Sequence, residues 1–302
     1  MAGNEWVAVH PDRGFRELLD AVAEEGLEAL DAFKHKQIEL NSLENAFFIS
    51  QRILQKTRDT LGENDPAFMD MLVRSIDGCL EAGYMALGLR QAEYAREILE
   101  KQGATRSPEY QYAVGAMAFC YMSDGRFGEA LEAVELLMTL QDDAPQHERL
   151  STCMDRAAAL AGTGAAERAR VACVEFTADL LRWGREVAET PGSDTQTAHS
   201  LCAYALDVCM SVLTVQDPDA DAEWALNALL AFRGLLYRLD PAVSTVHAAD
   251  NSAYRRARAA LPEGGTFRDC VRFNDLVNRR AGEFLFYEDA ACAVRARRLP
   301  AG

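Results

Sequence analysis

The sequence predicts an all-α fold made of repeated helical hairpins, and three observations carry that expectation. The 302 residues include only 9 Pro, and long runs of Ala, Leu, Glu and Arg contain few β-branched residues, which favours helix almost everywhere. Prolines punctuate the middle of the chain at Pro66, Pro108, Pro145 and Pro191, at intervals of 42, 37 and 46 residues. A proline inside a helix removes a hydrogen bond and clashes with the turn before it, so each interval suits two helices of about 15 residues and their turns. Finally, short and bulky apolar residues recur at matching positions on either side of internal glycines.

Taken in order, helices are expected around 15–32 and 42–60, covering one apolar end of the array. Hairpins follow, with breaks at "LGLRQ" near residue 88, "SDGRF" at 123–127 and "GTGAA" at 162–166. In the central unit Val114, Met117, Ala118 and Tyr121 follow the i, i+3, i+4, i+7 spacing of one helix face. Gly125 permits a sharp turn, after which Phe127, Ala130, Leu131, Val134, Leu137 and Met138 form a second apolar face. Small Ala118 and Ala130 let the two helices approach, while Tyr121 and Phe127 fill the gap beside the turn. The next unit echoes this with Cys153, Ala157, Leu160, Gly164, Ala166, Ala169, Cys173 and Phe176; Gly125 to Gly164 and Ala130 to Ala169 are both 39 residues apart. Upstream, Ile76, Cys79, Leu80 and Gly83 precede Leu89 and Ala92, and Ala92 lies 38 before Ala130. Later the prolines crowd, at Pro218, Pro241 and Pro262, as though each closes a single helix. Helices around 243–260 and 267–297 are expected to cover the far end.

The order large, large, small, aromatic on the first helix, then Gly, aromatic, small, large on the second, resembles the tetratricopeptide repeat (TPR). The resemblance is clearest over 108–145, extends over 66–190, and fades beyond, apart from "LYRLDP" at 236–241. The spacing is longer than that family's usual period of about 34 residues, and the closing proline comes late, at Pro145. The resemblance implies a TPR-like superhelix with capping helices at both ends. Residues 1–65 would cap the stack, 66–190 form the hairpin repeats, and 191–302 continue the array to an Arg-rich end, all as one continuous domain.

Charge and cysteine content narrow the function classes. The formal net charge is −16, yet residues 251–302 carry +4, leaving −20 on the first 250. An acidic body repels phosphate backbones, so nucleic acid is not expected as its ligand; Arg295, Arg297 and Arg298 near the C-terminus read as a solvated tail, or as a contact for an anionic partner or for nucleic acid. The 8 cysteines form no CxxC pair and most sit in apolar helical runs, as buried free thiols of a cytoplasmic, reducing compartment do. The most apolar stretch, "TAHSLCAYALDVCMSVLTV" at 197–215, contains His199 and Asp207 and suits a buried helix better than a membrane span.

No catalytic motif emerges. The five histidines show no i+3 or i+4 pairing and no HExxH, so no metal site is expected; neither GxSxG, GxxxxGK[ST] nor GxGxxG occurs, and no cofactor is implied. "DDAPQ" at 142–146 and "NDLVNRRAGE" at 274–283 superficially resemble the metal motifs of class I terpene synthases. The first lacks its third acid and contains Pro145; in the second, Gly282 stands where the third ligand belongs.

The resemblance further implies a concave groove lined by the first helix of each hairpin. Groove positions would be Asp77, Glu81, Tyr84, Tyr112, Phe119, Met122 and Asp155. The subgroup that clamps chaperone tails uses Lys, Asn and Arg there, so its function does not carry over. Acids beside Tyr, Phe and Met suit a protein or peptide with basic and apolar side chains. The expected function is a non-enzymatic adaptor or scaffold subunit. The rival readings are an all-α enzyme or small-ligand sensor with an enclosed pocket, and an RNA- or ribosome-associated subunit.

Overall fold

The computed structural model describes residues 12–215, 218–239, 268–278, 280–288 and 294–299. In chain order these form α1 (Arg13–Glu25), α2 (Leu27–Glu39), α3 (Leu43–Leu61), α4 (Pro66–Glu81), α5 (Met85–Lys101), α6 (Pro108–Asp124), α7 (Phe127–Leu140), α8 (Gln146–Gly162), α9 (Ala166–Glu189), α10 (Thr195–Thr214), α11 (Pro218–Leu239), then β1 (Arg268–Asp275), β2 (Arg280–Glu288) and β3 (Val294–Arg298). They fall into two compact units, Met1–Leu140 and Gln141–Gly302.

Local sequence sets the helix ends. The side chains of Asp65 and Ser107 accept from the backbone N–H groups of Ala67 (2.8 Å) and Tyr110 (3.2 Å), each just ahead of a proline in the first turn, where its missing N–H is no loss. The hairpin turn is the same in α4–α5, α6–α7 and α8–α9. Gly125 lies at φ 76° and donates to Met122 O, while Arg126 N donates to Tyr121 O at 2.8 Å. The same bond pair recurs at Gly83–Tyr84 and Gly164–Ala165. This is the Schellman closure, which needs a residue without a Cβ penalty in the left-handed region.

Those turns correct part of the sequence reading. Gly88 is not at a break but inside α5, where a Cβ would lie 3.3 Å from the Cys79 Cβ and 3.0 Å from a Leu80 methyl carbon. It is therefore the small residue of close approach, equivalent to Ala130 and Ala169. From Pro66 to Pro108 and from Gly83 to Gly125 the repeat is 42 residues, against 39 from Gly125 to Gly164; the 38-residue match of Ala92 to Ala130 is not the structural one. The expected alanines do nest inward: Ala118 is 2% exposed, and Ala130, Ala157 and Ala169 are fully buried. The helix expected at 15–32 breaks in two at Gly26 (φ 124°).

In the first unit α1 lies on α2 and α3. Arg52 pairs with Asp20 at 2.9 Å, and the Lys56 ammonium donates to the Ala23 carbonyl at the end of α1. Leu30, Phe48, Ile49, Cys79 and Leu87 fill the space between. A closed ring of neutral groups then ties three helices together. Gln51 Nε2 (α3) donates to Ser75 Oγ (α4) at 2.9 Å, Ser75 Oγ donates to Gln91 Oε1 (α5) at 2.8 Å, and Gln91 Nε2 returns to Gln51 Oε1 at 2.7 Å. A neighbouring space lined by Gln51, Leu54, Gln55, Arg58, Phe68, Leu72 and Tyr94 has room for about one water molecule.

In the second unit α8–α9 and α10–α11 are hairpins, and the helix expected at 267–297 is instead an antiparallel sheet of order β1–β2–β3. β1 lies against α10 and β3 against α11. Along β3, Val294 and Ala296 are buried while Arg295, Arg297 and Arg298 are not, the period of two that a one-sided strand requires. The expected helix at 243–260 lies outside the described residues.

Candidate functional site

Helix α4 buries Phe68, Leu72, Ser75, Ile76 and Cys79, which turns Asp70, Arg74, Asp77 and Glu81 outward. Helix α6 buries Tyr110, Val114, Met117, Ala118 and Tyr121, which leaves Tyr112, Phe119 and Met122 along its other side. The two first helices touch, and the Tyr112 phenol donates to the Asp77 carboxylate across the seam. Burial, then that hydrogen bond, push the Tyr112 hydroxyl well above the ordinary phenol range. Asp70 pairs with Arg74 at 2.9 Å, whereas Glu81 makes no ion pair among the described residues. Phe119 is 46% exposed and Met122 half-buried.

Of the seven expected groove residues, Asp77 and Tyr112 are joined by that hydrogen bond; Glu81 follows Asp77 on the outward side of α4, and Phe119 and Met122 follow Tyr112 along α6. Tyr84 does not join them. It precedes α5, with its ring 4.6 Å (centroid to centroid) from that of Phe47 beside the core of the first unit. Asp155 belongs to the second unit, where it accepts from the Tyr204 hydroxyl of α10 at 2.6 Å. Burial pushes its carboxyl up to about 6, against the downward pull of the Tyr204 hydrogen bond. Asp70 and Arg74 were not singled out in the sequence, although the spacing 70, 74, 77, 81 marks one helix face.

Near the C-terminus, Asn274 and Asn278 are anchors rather than ligands. Asp207 accepts from Asn274 N at 2.9 Å and from its Nδ2 at 2.8 Å, Ser211 Oγ accepts from Leu276 N at 2.8 Å, and Asn278 Nδ2 donates to Thr214 Oγ1 at 3.4 Å. Arg295, Arg297 and Arg298 stand on β3 instead of forming a tail; Arg297 is the exposed one. Among the described residues the buried polar side chains are neutral, no group of three His, Cys, Asp or Glu is placed to hold a metal, and no helix is long and apolar enough to cross a membrane.

The chain is similar to the TPR-like array of a Podosopora anserina protein described as a kinesin light chain with nearly identical repeats. A point variant of that array matches with a TM-score of 0.53 and 15% identity over 76% of this chain and 98% of that one. A second structure of it matches at 0.52 and 14%, over 70% and 95%. No family model matches the chain, and no curated protein matches it. The body of the chain has a TPR-like helical-repeat fold.

Proposed function

We propose that this chain is a non-enzymatic adaptor or scaffold subunit of a larger assembly, and that it holds a partner segment bearing basic and apolar side chains across α4 and α6. The observation that carries this reading is Phe119, an aromatic ring 46% exposed beside a helix that turns Asp77 and Glu81 outward. Covering the ring supplies affinity, and the acids orient the partner and exclude acidic competitors. Similarity to TPR-like arrays supports protein binding as the task. Five buried, unpaired thiols among the described residues support a reducing compartment.

A photo-crosslinking residue placed at position 119 tests the site against one at Val171, which is 45% exposed on α9. Protein adducts are expected from 119 and not from 171. Adducts from 171 alone would overturn the assignment.

A further inference from the structure

Helices α2 and α3 form a further hairpin of the same repeat, although no proline opens it. Between them Asn41 lies in the left-handed region at φ 55°. Asn41 N donates to Ile38 O at 2.9 Å and Ser42 N to Gln37 O at 2.8 Å. That is the bond pair of Gly83–Tyr84 and Gly125–Arg126, and after glycine asparagine is the residue that most readily takes this conformation. Asn41, Gly83 and Gly125 are 42 residues apart, as are the first residues of the second helices, Leu43, Met85 and Phe127. The small buried residues Ala46, Gly88 and Ala130 keep the same interval. Helix α2 is thus a first helix, equivalent to α4 and α6.

That equivalence gives α2 an outward face of its own. Glu28, Ala32, His35 and Glu39 hold the places of Asp70, Arg74, Asp77 and Glu81, and all eight residues are exposed. The hairpins follow one another in contact, α3 on α4 and α5 on α6, and stacked repeats present equivalent positions along one side. Glu39 and Glu81 are the last residues of α2 and α4, and neither makes an ion pair among the described residues. The helix dipole works against an acid in that turn, which leaves a cation from outside as the favourable neighbour. Basic groups of α2 are turned to its own backbone and acids: Lys34 pairs with Asp31 at 3.0 Å, and the His35 ring donates to the Asp31 carbonyl at 2.8 Å. The third repeat has Ser123 in place of the glutamate and offers exposed Phe119 instead.

We infer that the partner segment runs over three first helices, with separate cations at Glu39 and Glu81 and a bulky apolar side chain on Phe119. This rests on the reading above that α4 and α6 hold a partner, and it adds α2 to that surface. The occupant is a protein segment with a fixed polarity, basic where it meets α2 and α4 and apolar where it meets α6. Charge selects and orients it, and the covered ring supplies affinity.

Panning random linear peptides displayed on phage against the full chain, with fluorescence anisotropy on synthetic versions of the winners, tests this. Enriched sequences should carry at least two cations and a bulky apolar residue. Glu39→Lys and Glu81→Lys should each weaken them about fivefold, and Phe119→Ala about tenfold. Glu132→Lys, an equal change of charge at an exposed position of α7, should weaken them less than about twofold. Lysine suits the last turn of a helix, and unchanged circular dichroism verifies folding. Suppose binding falls with Glu81→Lys and Phe119→Ala, but no further with Glu39→Lys than with Glu132→Lys. The inference is then overturned, while the surface on α4 and α6 stands. Loss at Glu39 without loss at Glu81 overturns it equally. Winners indifferent to Phe119→Ala, or no enrichment at all, sink the reading that α4 and α6 hold a partner.

Discussion

In the first unit an acid on one first helix and a tyrosine on the next, Asp77 and Tyr112, meet at the surface; in the second unit the corresponding couple, Asp155 and Tyr204, is half-buried. The difference lies in what surrounds each couple. The first unit ties its interior with the neutral Gln51–Ser75–Gln91 ring and leaves Glu81 and Phe119 facing outward. The second unit turns its acid against α10 and uses the next polar positions of that helix, Asp207 and Ser211, to seat a sheet. Acid-and-aromatic first helices thus present a surface in one unit and an internal joint in the other.

The comparison is broken most forcefully inside the first unit. Gln91→Leu leaves the Ser75 hydroxyl without its acceptor and Gln51 Oε1 without its donor in a buried setting, at a cost of about 2–4 kcal/mol. Hydrogen exchange should then quicken in α3–α5 and stay slow in α8–α10; equal quickening in both would mean that the ring does not belong to the first unit's own stability. Next in size, Asp207→Ala removes two acceptor contacts at Asn274 and should cost about 1–2 kcal/mol, read as faster exchange at the Asn274 amide with α4–α6 unchanged.

Asp155→Asn runs the other way. The folded carboxyl titrates at about 6, above the value near 3.9 of an unfolded Asp, so the folded chain holds the proton more tightly. Its stabilising effect is complete below about pH 4 and is lost as pH rises through about 6. Asparagine keeps an acceptor for Tyr204 without the half-buried charge, so the variant should gain about 1–2 kcal/mol at pH 7 and lose the pH dependence of α8–α10 exchange over that window. An unaltered pH profile would place the titrating group elsewhere. Smallest of all, Asp77→Asn at the exposed couple should change stability by less than about 0.5 kcal/mol, measured by urea denaturation.

Much of the helical body was legible in one dimension because its causes are local. Pro66, Pro108, Gly125 and Gly164 act through their own backbone restrictions, and Ala118, Ala130 and Ala169 keep the helical period on which nesting depends. The equivalence of Gly88 with Ala130 was hidden, since a glycine inside a helix looks like a break until Cys79 is seen packed against it. β1–β3 were missed for a related reason. Ala and Arg suit a helix by propensity, while the alternation of Val294 and Ala296 with Arg295 and Arg297 is too short to outweigh that, and the strands persist because α10 and α11 cover one face. Within the candidate site, exposed Asp77, Glu81 and Phe119 could be placed by helix face alone. Tyr84 and Asp155 could not, because Phe47 and Tyr204 come from distant parts of the chain.

By itself the sequence determined that this protein is built of long helices turning back at glycines and restarting at prolines, since backbone sterics and capping act within a few residues. Only tertiary structure decided which acidic first helix stays open and which is closed. That choice depends on desolvation and on side chains brought from tens of residues away: Tyr112 to Asp77, Tyr204 to Asp155, and Asn274 to Asp207.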